Sequence, residues 1–94
     1  MATAVVGDFE WDDNKAAANE RKHSVTFVEA MTAFLDERGL AAPDSEHPGR
    51  FVLIGMSRAL RVLFVVSAES GERIRLISAR KASPTQRKMY EDGP

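Results

Sequence analysis

The chain has 94 residues, 44% of them hydrophobic and 29% charged, with no cysteine and a formal net charge of −1. That length suits one small domain with a single modest core. The missing cysteines exclude disulfides and thiolate metal sites and fit a cytoplasmic protein, and the apolar runs fall far short of the ~20 residues that cross a bilayer. The charges are unevenly placed. Residues 1–49 carry four Lys/Arg against ten Asp/Glu, whereas residues 50–94 carry nine against four, seven of those nine being arginine. Arginine's planar fork suits phosphate, although solvated strand and helix faces are the plainer reading of such residues.

Residues 1–8 have neither the basic start nor the apolar stretch of a signal peptide and are read as a flexible leader before a single domain over 9–94. Asp12 or Asp13 then caps a first helix of about ten residues, whose alanines favour helix and whose bases near Lys22 complement its C-terminal dipole. Thr26-Phe27-Val28-Glu29 matches a capping box, with Glu29 expected to reach back to the cap. Phe27, Ala30, Met31, Phe34 and Leu35 follow at helical spacing, and Gly39 is a plausible stop. Residues 41–50, with Pro43, Pro48 and Gly49, read as an edge strand or loop.

Residues 51–56 and 60–67 are rich in β-branched and aromatic side chains and read as strands joined at Ser57-Arg58-Ala59. Glu69-Ser70-Gly71-Glu72 marks the next turn, and residues 73–79 form a third strand. Ser83-Pro84 begins a last short helix, serine as N-cap and proline at the first helical position. The expected class is α+β: two N-terminal helices on one face of an antiparallel sheet of three to four strands, then a short C-terminal helix. Phe27, Met31, Phe34, Phe51, Leu53, Phe64, Val65, Ile74 and Leu76 are the expected core.

Two segments carry a family resemblance. Phe9-Glu10-Trp11-Asp12 with Lys15, Asn19 and Lys22-His23-Ser24-Val25-Thr26-Phe27-Val28-Glu29-Ala30 resembles the opening of the BrnT toxins. Arg73-Ile74-Arg75-Leu76-Ile77-Ser78-Ala79-Arg80-Lys81-Ala82 with Tyr90-Glu91 resembles their end. The resemblance spans residues 9–91. It implies a RelE-like fold and a ribonuclease toxin of a type II toxin–antitoxin pair. Such a toxin would cleave RNA without a metal or other cofactor, stopping translation under stress. It further implies neutralisation by a DNA-binding antitoxin of the BrnA type, through which alone the toxin would meet operator DNA. The chain departs from the family pattern at Gly49 and at Ser67-Ala68-Glu69-Ser70.

Metal-free RNA cleavage must activate a 2′-hydroxyl, stabilise charge on phosphorus and protonate the leaving oxygen. Arg80 is the first candidate for charge stabilisation. His23 is a candidate acid or base, Lys22 a phosphate contact, and Arg61 and Tyr90 complete the expected catalytic set. Trp11, Arg58 and Arg75 are expected to bind RNA, Trp11 by stacking on unpaired bases. Arg61 and Arg75, on central strands, would form a cationic floor with Arg80 if all three left the sheet on its helix-free face. Each has a structural alternative: an ion pair for an arginine, a helix C-cap for Lys22 and His23, a core anchor for Trp11. His47 reads as surface. The carboxylates show no metal-binding spacing.

Two other functions fit parts of the pattern. One is a catalytically weak module that binds the antitoxin through the same arginines. The other is an RNA-binding accessory domain, which would account for the charge asymmetry but not for the two motifs.

Overall fold

Strand-forming residues dominate the second half of the chain, and the three expected strands form there. In the computed structural model, which describes residues 2–93, they are β4 (Arg50–Met56), β5 (Val62–Ser70) and β6 (Arg73–Lys81). Met1 of the expected leader and Pro94 of the expected domain lie outside the described residues. Ahead of these strands come β1 (Thr3–Val6), β2 (Phe9–Asp12), α1 (Asp13–His23), α2 (Phe27–Ala33) and β3 (Leu40–Pro43), and α3 (Pro84–Asp92) follows them. The sheet has six strands among the described residues, in the order β1-β2-β6-β5-β4-β3.

This corrects the expected three- to four-stranded antiparallel, RelE-like arrangement. Half of the supposed leader is β1, which pairs antiparallel with β2 across Gly7-Asp8, Gly7 taking a positive φ of 58°. A glycine opening a two-residue link is a hairpin signal. The hairpin joins β6 in parallel, at Phe9↔Ile74 and Glu10↔Arg75, so the sheet is mixed. The other neighbours pair antiparallel. Of residues 41–50, expected as an edge strand or loop, 41–43 belong to the edge strand β3, 44–49 link it to β4 and Arg50 begins β4.

The expected caps of α1 and α2 form. Asp12 accepts from the amides of Asn14 and Lys15 at 2.8 and 3.2 Å, and Thr26 Oγ1 accepts from the Glu29 amide at 3.0 Å. The reach-back by Glu29 does not occur, because its carboxylate is taken by Arg61 and Ser57. α1 and α2 lie on one face of the sheet. Between them and the strands sit Trp11, Val25, Phe27, Ala30, Leu63, Val65, Leu76 and Ala79. Each large apolar side chain fully buried here contributes about 1.5–3 kcal/mol. Trp11 and Phe27 meet edge to face with centroids 5.8 Å apart. Gly55 lets the end of α2 close on β4, since a Cβ there would stand 2.9 Å from the Ala33 carbonyl oxygen.

α3 rests on β4 and β5 and buries none of its own residues. No helix among the described residues is long and apolar enough to cross a membrane.

Candidate functional site

A single irregularity decides which arginines share a face. Val66 pairs with Ser78 but Ser67 pairs with Leu76, so Ile77 is an extra residue in β6. In a regular strand Arg75 and Arg80 would point to opposite faces. The bulge turns the alternation over, and both leave the sheet on the face away from α1 and α2. Leu76 and Ala79, three apart, both enter the core.

The cationic floor expected from Arg61, Arg75 and Arg80 does not assemble. Arg61 precedes β5, in the turn after β4, and its guanidinium goes to the helix side. There Nε donates to Glu29 Oε2 at 2.9 Å, Nη2 pairs with Glu29 Oε1, and Nη2 also donates to the Ser24 carbonyl at 3.1 Å. The hydrogen bond from Arg61 lowers the Glu29 pKa against the opposing effect of burial, with help from the Ser57 hydroxyl at 2.6 Å. Arg75 is on the expected face but is paired with Glu10 at 2.6 Å.

Arg80 differs from both. Its Nη1 donates to the Lys81 carbonyl at 3.1 Å and to Gln86 Oε1 at 3.0 Å, and its guanidinium carbon lies 4.5 Å from the centre of the Phe64 ring. These contacts are all neutral. Among the described residues no carboxylate pairs with it.

The remaining candidates separate by location. Trp11 is 5% exposed and packed in the core, so the expected stacking on RNA is corrected to a core anchor. Lys22 and His23 end α1, Lys22 exposed and His23 half-buried. Ser24, in left-handed conformation, closes that helix and accepts from Arg61. Arg61 thus binds the residue that directly follows His23. Arg58 is exposed in the same turn as Arg61, its amide held by Thr32 Oγ1 at 2.9 Å.

Tyr90 reaches across from α3 and donates to Asp36 Oδ2 at 2.5 Å, an oxygen that also accepts from the Met56 amide at 2.8 Å. This bond raises the tyrosine pKa. Burial would raise that of Asp36, but the hydrogen bonds from Tyr90 and the backbone outweigh it and lower the value. Asp36, Tyr90, Arg38 and Arg58 line an open cleft of about 450 Å³. His47 stays in its loop beside Asp44, at 3.2 Å. Among the described residues no three His, Asp or Glu side chains are placed to hold a metal.

The sequence profile described as "Ribonuclease toxin, BrnT, of type II toxin-antitoxin system" matches residues 11–86. The chain belongs to the BrnT family. Its structure is similar to the crystal structure of the Brucella abortus ribonuclease toxin BrnT, with a TM-score of 0.65 and 25% sequence identity over 78% of this chain and 92% of that one. No curated protein matches it. Membership makes this chain a type II ribonuclease toxin with an antitoxin partner.

Within this BrnT-family member, Asn19 holds a place the candidate list did not include. It is the one buried residue of α1. Its Nδ2 donates to the carbonyls of Ala79 and Val25 at 2.8 and 2.9 Å, and its Oδ1 accepts from the Ala79 amide at 3.0 Å. The side chain thus pairs both backbone groups of the residue before Arg80, on the edge of β6 beyond the end of β2. The available signals were its place in the first motif and the intrinsic cost of an asparagine inside an alanine-rich helix. Gln86, Phe64 and Asp36 were also missed as site residues, because only the tertiary fold brings them to Arg80 and Tyr90.

Proposed function

We propose that this BrnT-family toxin cleaves RNA without a metal and that Arg80 stabilises the charge on the reacting phosphate. The 2′-hydroxyl oxygen would attack the adjacent phosphorus as its proton leaves. The 5′-oxygen would depart with a proton, leaving a 2′,3′-cyclic phosphate. The observation that carries the reading is Arg80's neutral set of partners, which leaves its full charge for an anion. Arg61 and Arg75 are already neutralised and serve the fold. His23, half-buried with no hydrogen bond from its ring among the described residues, is the proposed proton-transfer group. Lys22 and Arg58 are proposed contacts to the RNA backbone. Tyr90 acts through Asp36 as a latch for α3.

Cleavage in the cytoplasm would stop translation, and a BrnA-type antitoxin would block it by covering the same face and would carry the pair to operator DNA. The decisive experiment is incubation of single-stranded RNA with the isolated protein in EDTA, beside Arg80→Ala. Cleavage by the wild type, reduced about 10²–10³-fold in the variant as for loss of one charge-stabilising donor, is expected. Equal cleavage by both overturns the assignment. The neutralisation of Arg61 and Arg75, which leaves fewer free charges for RNA, favours one second reading, a catalytically weak module that mainly engages the antitoxin. Folded wild-type protein that leaves RNA intact while binding the antitoxin would support that reading.

A further inference from the structure

Three arginines of the site region differ in what holds them. Arg61 and Arg75 each meet a carboxylate, whereas Arg80 meets a carbonyl, an amide oxygen and a ring. Both of its hydrogen bonds to the protein use Nη1. The Nε–H and the two Nη2–H groups are left without a partner among the described residues. Nε and Nη2 form one side of the guanidinium fork, the side that matches two oxygens of one phosphate.

Gln86 is itself pinned. Its Oε1 accepts from the Ser83 amide at 3.0 Å, and its own amide donates to Ser83 Oγ at 3.2 Å, the reciprocal bonds of a capping box. Pro84 occupies the first turn of the helix, where its preset φ favours this start. One amide oxygen therefore ties the start of α3 to Arg80. Phe64 stands directly opposite Arg80 in the β5–β6 register, so its ring lies under the guanidinium as a consequence of strand pairing. A ring face attracts the cation without cancelling its charge.

We propose that Gln86 and Phe64 are positioning residues for Arg80, fixing its guanidinium through neutral contacts so that the Nε–Nη2 edge is held ready for a phosphate of the RNA. This rests on the role given to Arg80 above. The capping box alone does not require glutamine, since glutamate fills the same place equally well. Glutamate would, however, set a carboxylate against Nη1 and repel the phosphate. The same substitution is thus harmless to α3 and damaging to the site.

The test uses the full chain and a fluorescent single-stranded RNA oligonucleotide, with binding followed across a salt series and cleavage in EDTA. Gln86→Glu should melt at or above the wild-type temperature yet lose tenfold or more in RNA affinity or kcat/KM. Its plot of log affinity against log salt should flatten by about 0.7, the contribution of one phosphate contact to a single strand. Phe64→Leu keeps the charge but loosens its aim, so kcat should fall severalfold with the salt slope unchanged, and Phe64→Tyr should restore it. Gln86→Glu that is folded and binds and cleaves like the wild type, beside an impaired Arg80→Ala, overturns the positioning role and leaves Arg80 in place. Arg80→Ala that matches the wild type removes both proposals. The binding series reads the outcome even where cleavage is slow.

Discussion

Replacing Asn19 with alanine removes three buried hydrogen bonds at once. The amide and carbonyl of Ala79 and the carbonyl of Val25 lose their partner. A buried backbone group left unpaired costs ~1–3 kcal/mol. Water entering the space left by the side chain relieves part of this, so the net loss is placed at about 3–5 kcal/mol. A domain of this size has a total stability of roughly 5–14 kcal/mol at ~0.05–0.15 kcal/mol per residue. The variant should therefore lose roughly a fifth or more of the total.

Urea denaturation should show a lower midpoint with an unchanged slope. The melting temperature should fall by at least about 12 °C, at ~4 °C or more per kcal/mol. Asn19→Asp separates donor from acceptor. Its carboxylate keeps the bond from the Ala79 amide but faces two carbonyl oxygens, which raises its pKa in the folded state. Relative to the wild type, the aspartate variant should be most stable below the unfolded carboxyl pKa of ~3.9 and lose stability as pH rises through the raised folded value. An alanine variant within about 0.5 kcal/mol of the wild type, or an aspartate variant with the wild-type pH profile, would refute the reasoning.

Two further perturbations follow from an ion pair and a hydrogen bond around the site. Glu29 has its pKa lowered, first by the hydrogen bond from Arg61. Its contribution is therefore present above the unfolded pKa and lost as pH falls through the folded one. Glu29→Gln should cost about 1.5–3 kcal/mol at neutral pH, the range for a charged hydrogen bond, and should flatten the acid limb of the stability curve. Acid melts of wild type and variant that run parallel would contradict this. Tyr90→Phe should lower the melting temperature by several degrees, through loss of the bond to Asp36, while RNA cleavage per folded molecule is kept. Lost cleavage at an unchanged melting temperature would return Tyr90 to the catalytic set.

Local chemistry alone was enough to read much of the scaffold. Asp12, Thr26 and Ser83 begin their helices because a side-chain oxygen beside free amides is an interaction between near neighbours. The strands of the second half follow from residues whose shape suits a pleated, half-buried surface. The two motifs of the resemblance were likewise legible, and they placed the chain in its family. The hairpin of β1 and β2 was missed because strands of only four residues on each side of Gly7-Asp8 carry little pattern. Its docking on β6 is a parallel pairing between segments more than sixty residues apart.

The site itself was decided in three dimensions. A bulge opposite Val66 and Ser67 set the face on which Arg75 emerges, and no alternation in the sequence marks it. Which arginine keeps its charge depended on where Glu29 and Glu10 arrived, and those carboxylates are 32 and 65 residues from the arginines they bind. Trp11 carried the right chemistry for RNA in sequence but was buried against Phe27 at the start of α2. Residue type states what a side chain can do. Whether it does so depends on its neighbours across the fold, because charge, burial and orientation are properties of the pair and not of the residue.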